Sequence, residues 1–149
     1  MSKQEEAKLI LKLYDLRREP VMREARSWFF SFNPTSAADY METMFGEHSG
    51  HVRMVVSYWD MAASLVNNGA IDAQMFNDAN GEQFFVFAKI EPILGEIRTM
   101  WNQPDFLKHF ETLIRQAPNS AERLAGMRER IKAMQTMMAE RAKGQAAKA

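Results

Sequence analysis

The spacing of apolar residues in two long segments constrains the fold of this chain more than any other feature. Within residues 51–68 and 82–101 apolar side chains recur three and four positions apart. Only an α-helix places such residues on one face. They are Val52, Val55, Val56, Trp59, Ala62, Ala63 and Val66 in the first segment, and Phe84, Phe87, Ile90, Leu94, Ile97 and Trp101 in the second. We expect these two helices to form a central antiparallel pair.

Turn and capping residues divide the rest of the chain into further helices. They are predicted over residues 5–18 and 20–30, in a short stretch ending near Gly46, after Asp72, from residues 103–105 onward, and after Asn119 or Ser120. Residues 46–50 are predicted as a loop, and Pro92 is expected to kink its helix without breaking it. The 149 residues fit one domain. We therefore predict a single all-α domain of six to eight helices over residues 1–144, with its core in 20–118, a long C-terminal helix over 119–143 and a disordered tail at 145–149.

Composition and motifs exclude several classes of function. Cysteine is absent, which excludes disulfides, thiolate zinc sites and cysteine nucleophiles. No phosphate-binding or dinucleotide-binding glycine motif occurs, and no cofactor is predicted. Basic and acidic residues both number 19, so no overall field attracts nucleic acid, and none is expected as a partner. The longest apolar stretches are interrupted by charges or too short to span a bilayer, and the predicted location is the cytoplasm.

The neutral total conceals an uneven distribution of charge along the chain. Residues 1–26 carry a net charge of +2, residues 27–121 carry −6, and residues 122–149 carry +4. This pattern can bring the terminal helices onto the acidic body of the same chain or of another copy. The alternative is that the charges lie on solvated helix faces.

One histidine pair has a spacing that occurs in metal sites. His48 and His51 are three residues apart beside Glu47. A catalytic metal usually needs a third protein ligand, and Gly50 disfavours a helix that would bring the imidazoles together. No metal site is therefore predicted, and the pair is expected in an exposed loop.

Polar residues on the two long helices are the candidates for a ligand site. Asp60 lies beside the Trp59 seam, and Glu91 and Arg98 flank the Leu94 seam. Desolvated charges must be paired, so these residues either form a structural network or line a binding site. The sequence leaves both alternatives open.

Part of the chain also resembles a known family. The resemblance is carried by the stretches Tyr58–Val66, Gly69–Asp72, Ile93–Arg98, Asp105–Phe106 and Phe110–Leu113. Over residues 53–114 they resemble a bacterial helical family known as a domain of unknown function, many members of which have a membrane segment ahead of this region that is not present here. The resemblance implies an all-helical fold and points to Asp60, Arg98 and Glu111, with Asp60 standing where glutamate is more usual. It implies no activity.

The last helix carries the clearest signal for interaction. Its apolar positions form a seam with heptad spacing, and charged arginines beside the seam disfavour a parallel homodimeric coil. The seam residues are Leu124, Met127, Ile131, Met134 and Met138. We expect this helix to lie on acidic body surface, in its own chain or in a second copy. The predicted function is a non-catalytic interaction or oligomerisation module that binds a protein partner or forms a homodimer through this helix; the alternative is a small-ligand-binding protein or enzyme that uses Asp60, Glu91 and Arg98.

Overall fold

The computed structural model describes residues 2–149 and is all-α. Eight helices cover 80% of the chain, and the described residues contain no strand. The helices are α1 (Lys3–Arg17), α2 (Pro20–Phe30), α3 (Ala37–Phe45), α4 (Ser49–Asn67), α5 (Ala73–Ala79), α6 (Glu82–Trp101), α7 (Lys108–Gln116) and α8 (Ser120–Lys148). The predicted fold class, the number of helices and the long C-terminal helix are confirmed.

Half of the eight helices begin at a residue whose side chain accepts a hydrogen bond from a free backbone amide of the first turn. Ser2, Ser36 and Asp72 each accept a hydrogen bond from the backbone N–H three residues later, at 2.9 to 3.2 Å. After α4, Gly69 takes a positive φ of 84°, a conformation that glycine adopts without a side-chain penalty. Ser36, Asp72 and Gly69 are among the signals from which helix boundaries were predicted, whereas Ser2 was not recognised as a cap.

Helix α4 forms the centre of the molecule. Its closest neighbours are α7 and α2, and its fully buried Trp59 packs edge-on against Phe76 of α5. Helix α6 packs most closely against α8. Helices α3 and α7 each contact both α4 and α6, and Phe87 of α6 contacts Phe110 of α7. The predicted central pair of α4 and α6 is therefore wrong, because other helices are the nearest partners of each.

Several helix boundaries differ from the prediction. Helix α7 begins at Lys108 rather than after residue 103, because Leu107 adopts a left-handed conformation with φ of 58°. Helix α4 begins at Ser49, so His51 is helical and the loop after α3 is shorter. Helix α8 continues to Lys148, so the tail predicted as disordered is helical up to that residue. Pro92 lies inside α6, which continues past it as predicted.

Candidate functional site

Asp60 lies on α4 and caps the start of α7. Its Oδ1 accepts a hydrogen bond from the Phe110 N–H at 3.0 Å. Phe110 is the third residue of α7, so its amide has no partner within the helix. The residue before α7 is Leu107, whose side chain offers no acceptor. Asp60 therefore supplies from a neighbouring helix the cap that α7 lacks, and its negative charge suits the positive end of the helix dipole.

Arg98 lies on α6 and holds the same end of α7. Its Nε donates to the Phe106 carbonyl at 2.9 Å, and its Nη1 donates to Glu111 Oε1 at 3.1 Å. Burial alone would raise the pKa of Glu111, but hydrogen bonds from Arg115 and Arg98 outweigh burial and lower that pKa below its usual value. The three residues to which the family resemblance points, Asp60, Arg98 and Glu111, thus all bind or belong to the first half of α7.

Glu91 connects the ion pair of Arg98 and Glu111 to α8. Arg115 donates to Glu111 at 3.0 Å and also lies 3.2 Å from a Glu91 oxygen. The other Glu91 oxygen binds Arg128 of α8, whose Nε donates to the Ala88 carbonyl at 3.1 Å. We call the continuous row formed by Arg98, Glu111, Arg115, Glu91 and Arg128 the charge ladder. It joins α6, α7 and α8.

The predicted ligand-binding residues are therefore placed in two arrangements. Glu91 and Arg98 belong to the charge ladder, whereas Asp60 bonds the backbone of α7. Both oxygens of Glu91, two nitrogens of Arg98 and one oxygen of Asp60 bond partners within the protein. This arrangement fastens helices to one another. The spacing of residues along α6 could not identify Arg115 and Arg128 as partners of Glu91, because they lie on α7 and α8.

The seam of α8 meets the body only in its first part. Leu124 is 2% exposed, and Met127 and Ile131 pack against the core. Met134 is half-buried, and every residue from 135 to 148 is exposed. We call residues 135–148 the free half of α8. Of the predicted interaction residues, four therefore contact or approach the body, and Met138 belongs to the free half.

A cavity of about 530 Å³ lies where the free half leaves the body. Phe30, the last residue of α2, faces it from the body, and Met134, Met137 and Met138 line it from α8. Glu140 and Arg141 complete its lining. Sequence reasoning missed Phe30 and Met137; the adjacent Met137 and Met138 were the available signal, since two successive methionines widen the apolar face beyond the seam.

Lys89 fixes the end of α2 that carries Phe30. Its buried Nζ donates to the carbonyls of Phe29 and Phe30 at 2.9 Å and of Phe32 at 2.8 Å. The same ammonium lies 4.5 Å from the centre of the Phe85 ring. Burial lowers the pKa of Lys89 to about 8. A cation at this position satisfies carbonyls that the end of a helix leaves without partners.

The histidine pair is partly buried and belongs to the start of α4, not to an exposed loop. The Nδ1 atoms of His48 and His51 lie 3.3 Å apart, and the His48 ring stacks on Trp28 with 4.9 Å between centres. Within residues 2–149 no three histidine, aspartate or glutamate side chains are grouped so as to hold a metal ion. The absence of a metal site stays a prediction.

Comparisons with known proteins place the chain in a family. Within the described residues no helix is long and apolar enough to cross a membrane; the cytoplasmic location stays a prediction. No curated protein and no solved structure matches the chain. One family does match, over residues 4–117, which include α1 to α7 almost completely and contain Asp60, Arg98 and Glu111. This match covers more than half of the chain, so the protein belongs to the family described as Domain of unknown function (DUF4760).

Proposed function

We propose that this protein is a non-catalytic interaction module that self-associates through the free half of α8. One observation carries the proposal: the apolar seam of α8 continues to Met138, beyond the last residues of α8 that pack against the core. Leu124 is 2% exposed, whereas Met138 is 52% and Met137 is 67% exposed. Phe30, across the cavity from these methionines, is 46% exposed. Adjacent exposed apolar side chains of this size commonly mark a protein contact surface.

The energetics of helices support the same reading. A helix segment that packs against nothing is marginally stable in water, because tertiary packing supplies most helical stability. The free half spans residues 135–148 without a buried side chain. A contact with a partner would supply the missing packing. Methionine suits such a contact because its unbranched side chain adapts to irregular surfaces.

The first part of α8 provides a fixed base for this surface. Arg128 binds Glu91 and the Ala88 carbonyl of α6, and Leu124 is inserted into the core. The matched family region ends at residue 117, three residues before α8 begins. The proposed binding element therefore lies outside the region that defines the family.

A small-ligand site at Asp60, Glu91 and Arg98 is less well supported. An open site presents several polar groups toward one space. Here Asp60 bonds the Phe110 amide, and the other two side chains bond Glu111, Arg115 and Arg128. Self-association through the free half of α8 therefore remains our proposal.

Sedimentation velocity of the full chain over a range of concentrations tests the proposal. We expect an assembly larger than the monomer, and we expect the Met137→Lys, Met138→Lys double variant to weaken it at least about tenfold, because charges are disfavoured in an interface core. Met100→Lys is the matched control, since Met100 is 51% exposed on α6. It should associate as the unmodified chain does.

Two results would contradict the proposal. One is a monomer at every concentration. The other is an assembly that the double variant leaves as strong as the Met100→Lys control does, since association would then occur through a different surface.

A further inference from the structure

The most exposed of the large apolar side chains in the described residues lies outside the hydrophobic core. Phe45 is 83% exposed and ends α3. The buried side of α3 carries Tyr40, five residues earlier, and five residues turn a helix by about 140°. Phe45 therefore points away from the core. A single exposed apolar side chain is ordinary on a protein surface, so the ring indicates a contact only together with a site that fits it.

Acidic side chains surround Phe45 in sequence. Residues 37–50 contain Asp39, Glu42 and Glu47 and no lysine or arginine, which gives a net charge of −3. Asp39 already accepts hydrogen bonds from Thr35, whereas Glu42 and Glu47 are exposed. We call residues 42–47 the acidic corner. In the sequence one aromatic residue stands between two carboxylates.

The free half of α8 has the opposite character. It contains Arg141, Lys143 and Lys148 against one acidic residue, a net charge of +2. Its methionines line the cavity of about 530 Å³, which lies within the roughly 300 to 1,000 Å³ typical of sites that enclose small groups. Methionine sulfur also makes favourable contacts with aromatic rings. The cavity therefore offers an apolar seat for a ring. Arg141 lines it beside Glu140, and Lys143 follows on the same helix, so two basic side chains lie near enough in sequence to meet the carboxylates of the acidic corner.

Resting on the proposed function, we infer that the acidic corner of one copy occupies the α8 cavity of a second copy, with Phe45 inserted between Phe30 and the methionines. The cavity of the same chain is not filled by its own Phe45, because that ring is exposed and is not among the residues that line the cavity. Charge complementarity between the acidic corner, at −2, and the free half of α8, at +2, favours this pairing. Each copy carries both surfaces, so two copies can exchange them.

Charge reversal on both surfaces tests the pairing. We expect Phe45→Ala to weaken self-association at least about tenfold, as loss of a central aromatic anchor does in other interfaces. Glu42→Lys with Glu47→Lys, and separately Arg141→Glu with Lys143→Glu, should each weaken it to a similar extent. Combining all four reversals should restore association, because opposite charges again face each other. Circular dichroism checks that these exposed substitutions leave the helices intact.

The outcomes separate this inference from the proposed function. An assembly that is lost on Met137→Lys, Met138→Lys substitution but retained by Phe45→Ala would leave the role of α8 standing and overturn the pairing with the acidic corner. Failure of the four-fold reversal to restore association would also overturn it. A monomeric full chain would contradict both, and membrane vesicles or other proteins would then be the ligands to test on α8.

Discussion

At the scale of single residues, one carboxylate determines how α7 begins. Leu107 enters the helix from a left-handed conformation and contributes no capping group. Helix α7 has nine residues, and a helix of this length is not stable without tertiary contacts. The hydrogen bond from the Phe110 amide to Asp60 therefore contributes both a cap and a contact with α4.

Removing this cap should destabilise the protein. We expect Asp60→Ala to lower the free energy of unfolding by about 0.5 to 2 kcal/mol, the range for loss of a capping side chain. Asp60→Asn should have a smaller effect, because the amide keeps an acceptor oxygen. Urea denaturation followed by circular dichroism measures both. Asp78→Ala is the control, since Asp78 is exposed. An equal loss in Asp60→Ala and Asp78→Ala would show that the cap is unimportant.

Glu111 should make the free energy of unfolding depend on pH. Its folded pKa lies below the usual value near 4.5, so folding favours the ionised carboxylate. The resulting stabilisation is complete above that usual pKa and is lost as the pH falls through it toward the folded pKa. We expect Glu111→Gln to lower the free energy of unfolding at pH 7 and to approach the unmodified protein at pH 3 or below.

Urea denaturation at a series of pH values measures this difference. Glu129→Gln is the matched control, because Glu129 is exposed on α8. The difference in free energy of unfolding between Glu129→Gln and the unmodified protein should change little over the same pH range. A Glu111→Gln difference that is constant with pH would exclude a role for the ionised carboxylate.

The candidate residues could be predicted from the sequence, but their partners could not. Asp60, Glu91 and Arg98 stand out as polar residues on helices with buried faces. The bond from Asp60 reaches a residue 50 positions away, and that from Glu91 to Arg128 spans 37 positions. Local spacing carries no information about such contacts, since they depend on how separate helices pack.

At the scale of helices, apolar spacing predicts which face is buried but not what covers it. The repeats around Trp59 and Leu94 lie on the buried faces of α4 and α6, apart from the half-buried Trp101, and α6 is also buried outside its repeat. Their pairing was wrong, because α7 and α2 cover α4 while α8 covers α6. The start of α7 was also misplaced, since the left-handed conformation of Leu107 has no signal in the sequence.

The contact between α6 and α8 should depend on Arg128. Its guanidinium binds Glu91 and the Ala88 carbonyl and is partly buried. We expect Arg128→Ala to lower the free energy of unfolding by about 1.5 to 3 kcal/mol, as for hydrogen bonds that involve charged groups. Arg130→Ala, an exposed change on the same helix, should have little effect.

A double-mutant cycle isolates the ion pair itself. Glu91→Gln, Arg128→Ala and the combined variant should give a coupling energy of about 1 kcal/mol, as is typical of residues in direct contact. Additive effects would show that Arg128 stabilises α8 through packing and the Ala88 carbonyl alone.

At the scale of the whole molecule, α8 divides into a part that belongs to the domain and a part that does not. The acidic body, residues 27–121, has a net charge of −6. Arg128 meets this body at Glu91, whereas Arg141 and Lys143 lie beyond it on the free half. The charge pattern of the sequence therefore predicted attraction of α8 to the body, but not the point at which that contact ends.

Two truncations at different points of α8 should consequently have different effects on a monomeric sample. A chain ending at Met134 loses only exposed side chains, so its free energy of unfolding should change by less than about 0.5 kcal/mol. A chain ending at Ala121 also loses the buried Leu124, the partly buried Met127 and Ile131, and Arg128. Burial of apolar surface on this scale amounts to about 3 to 5 kcal/mol, a large share of the stability of a small domain.

Thermal and urea denaturation at low protein concentration compare the two truncated chains with the full chain. If both truncated chains were equally stable, the first part of α8 would not belong to the folded domain. If the chain ending at Met134 lost much of its free energy of unfolding, the free half would pack on the body of its own chain.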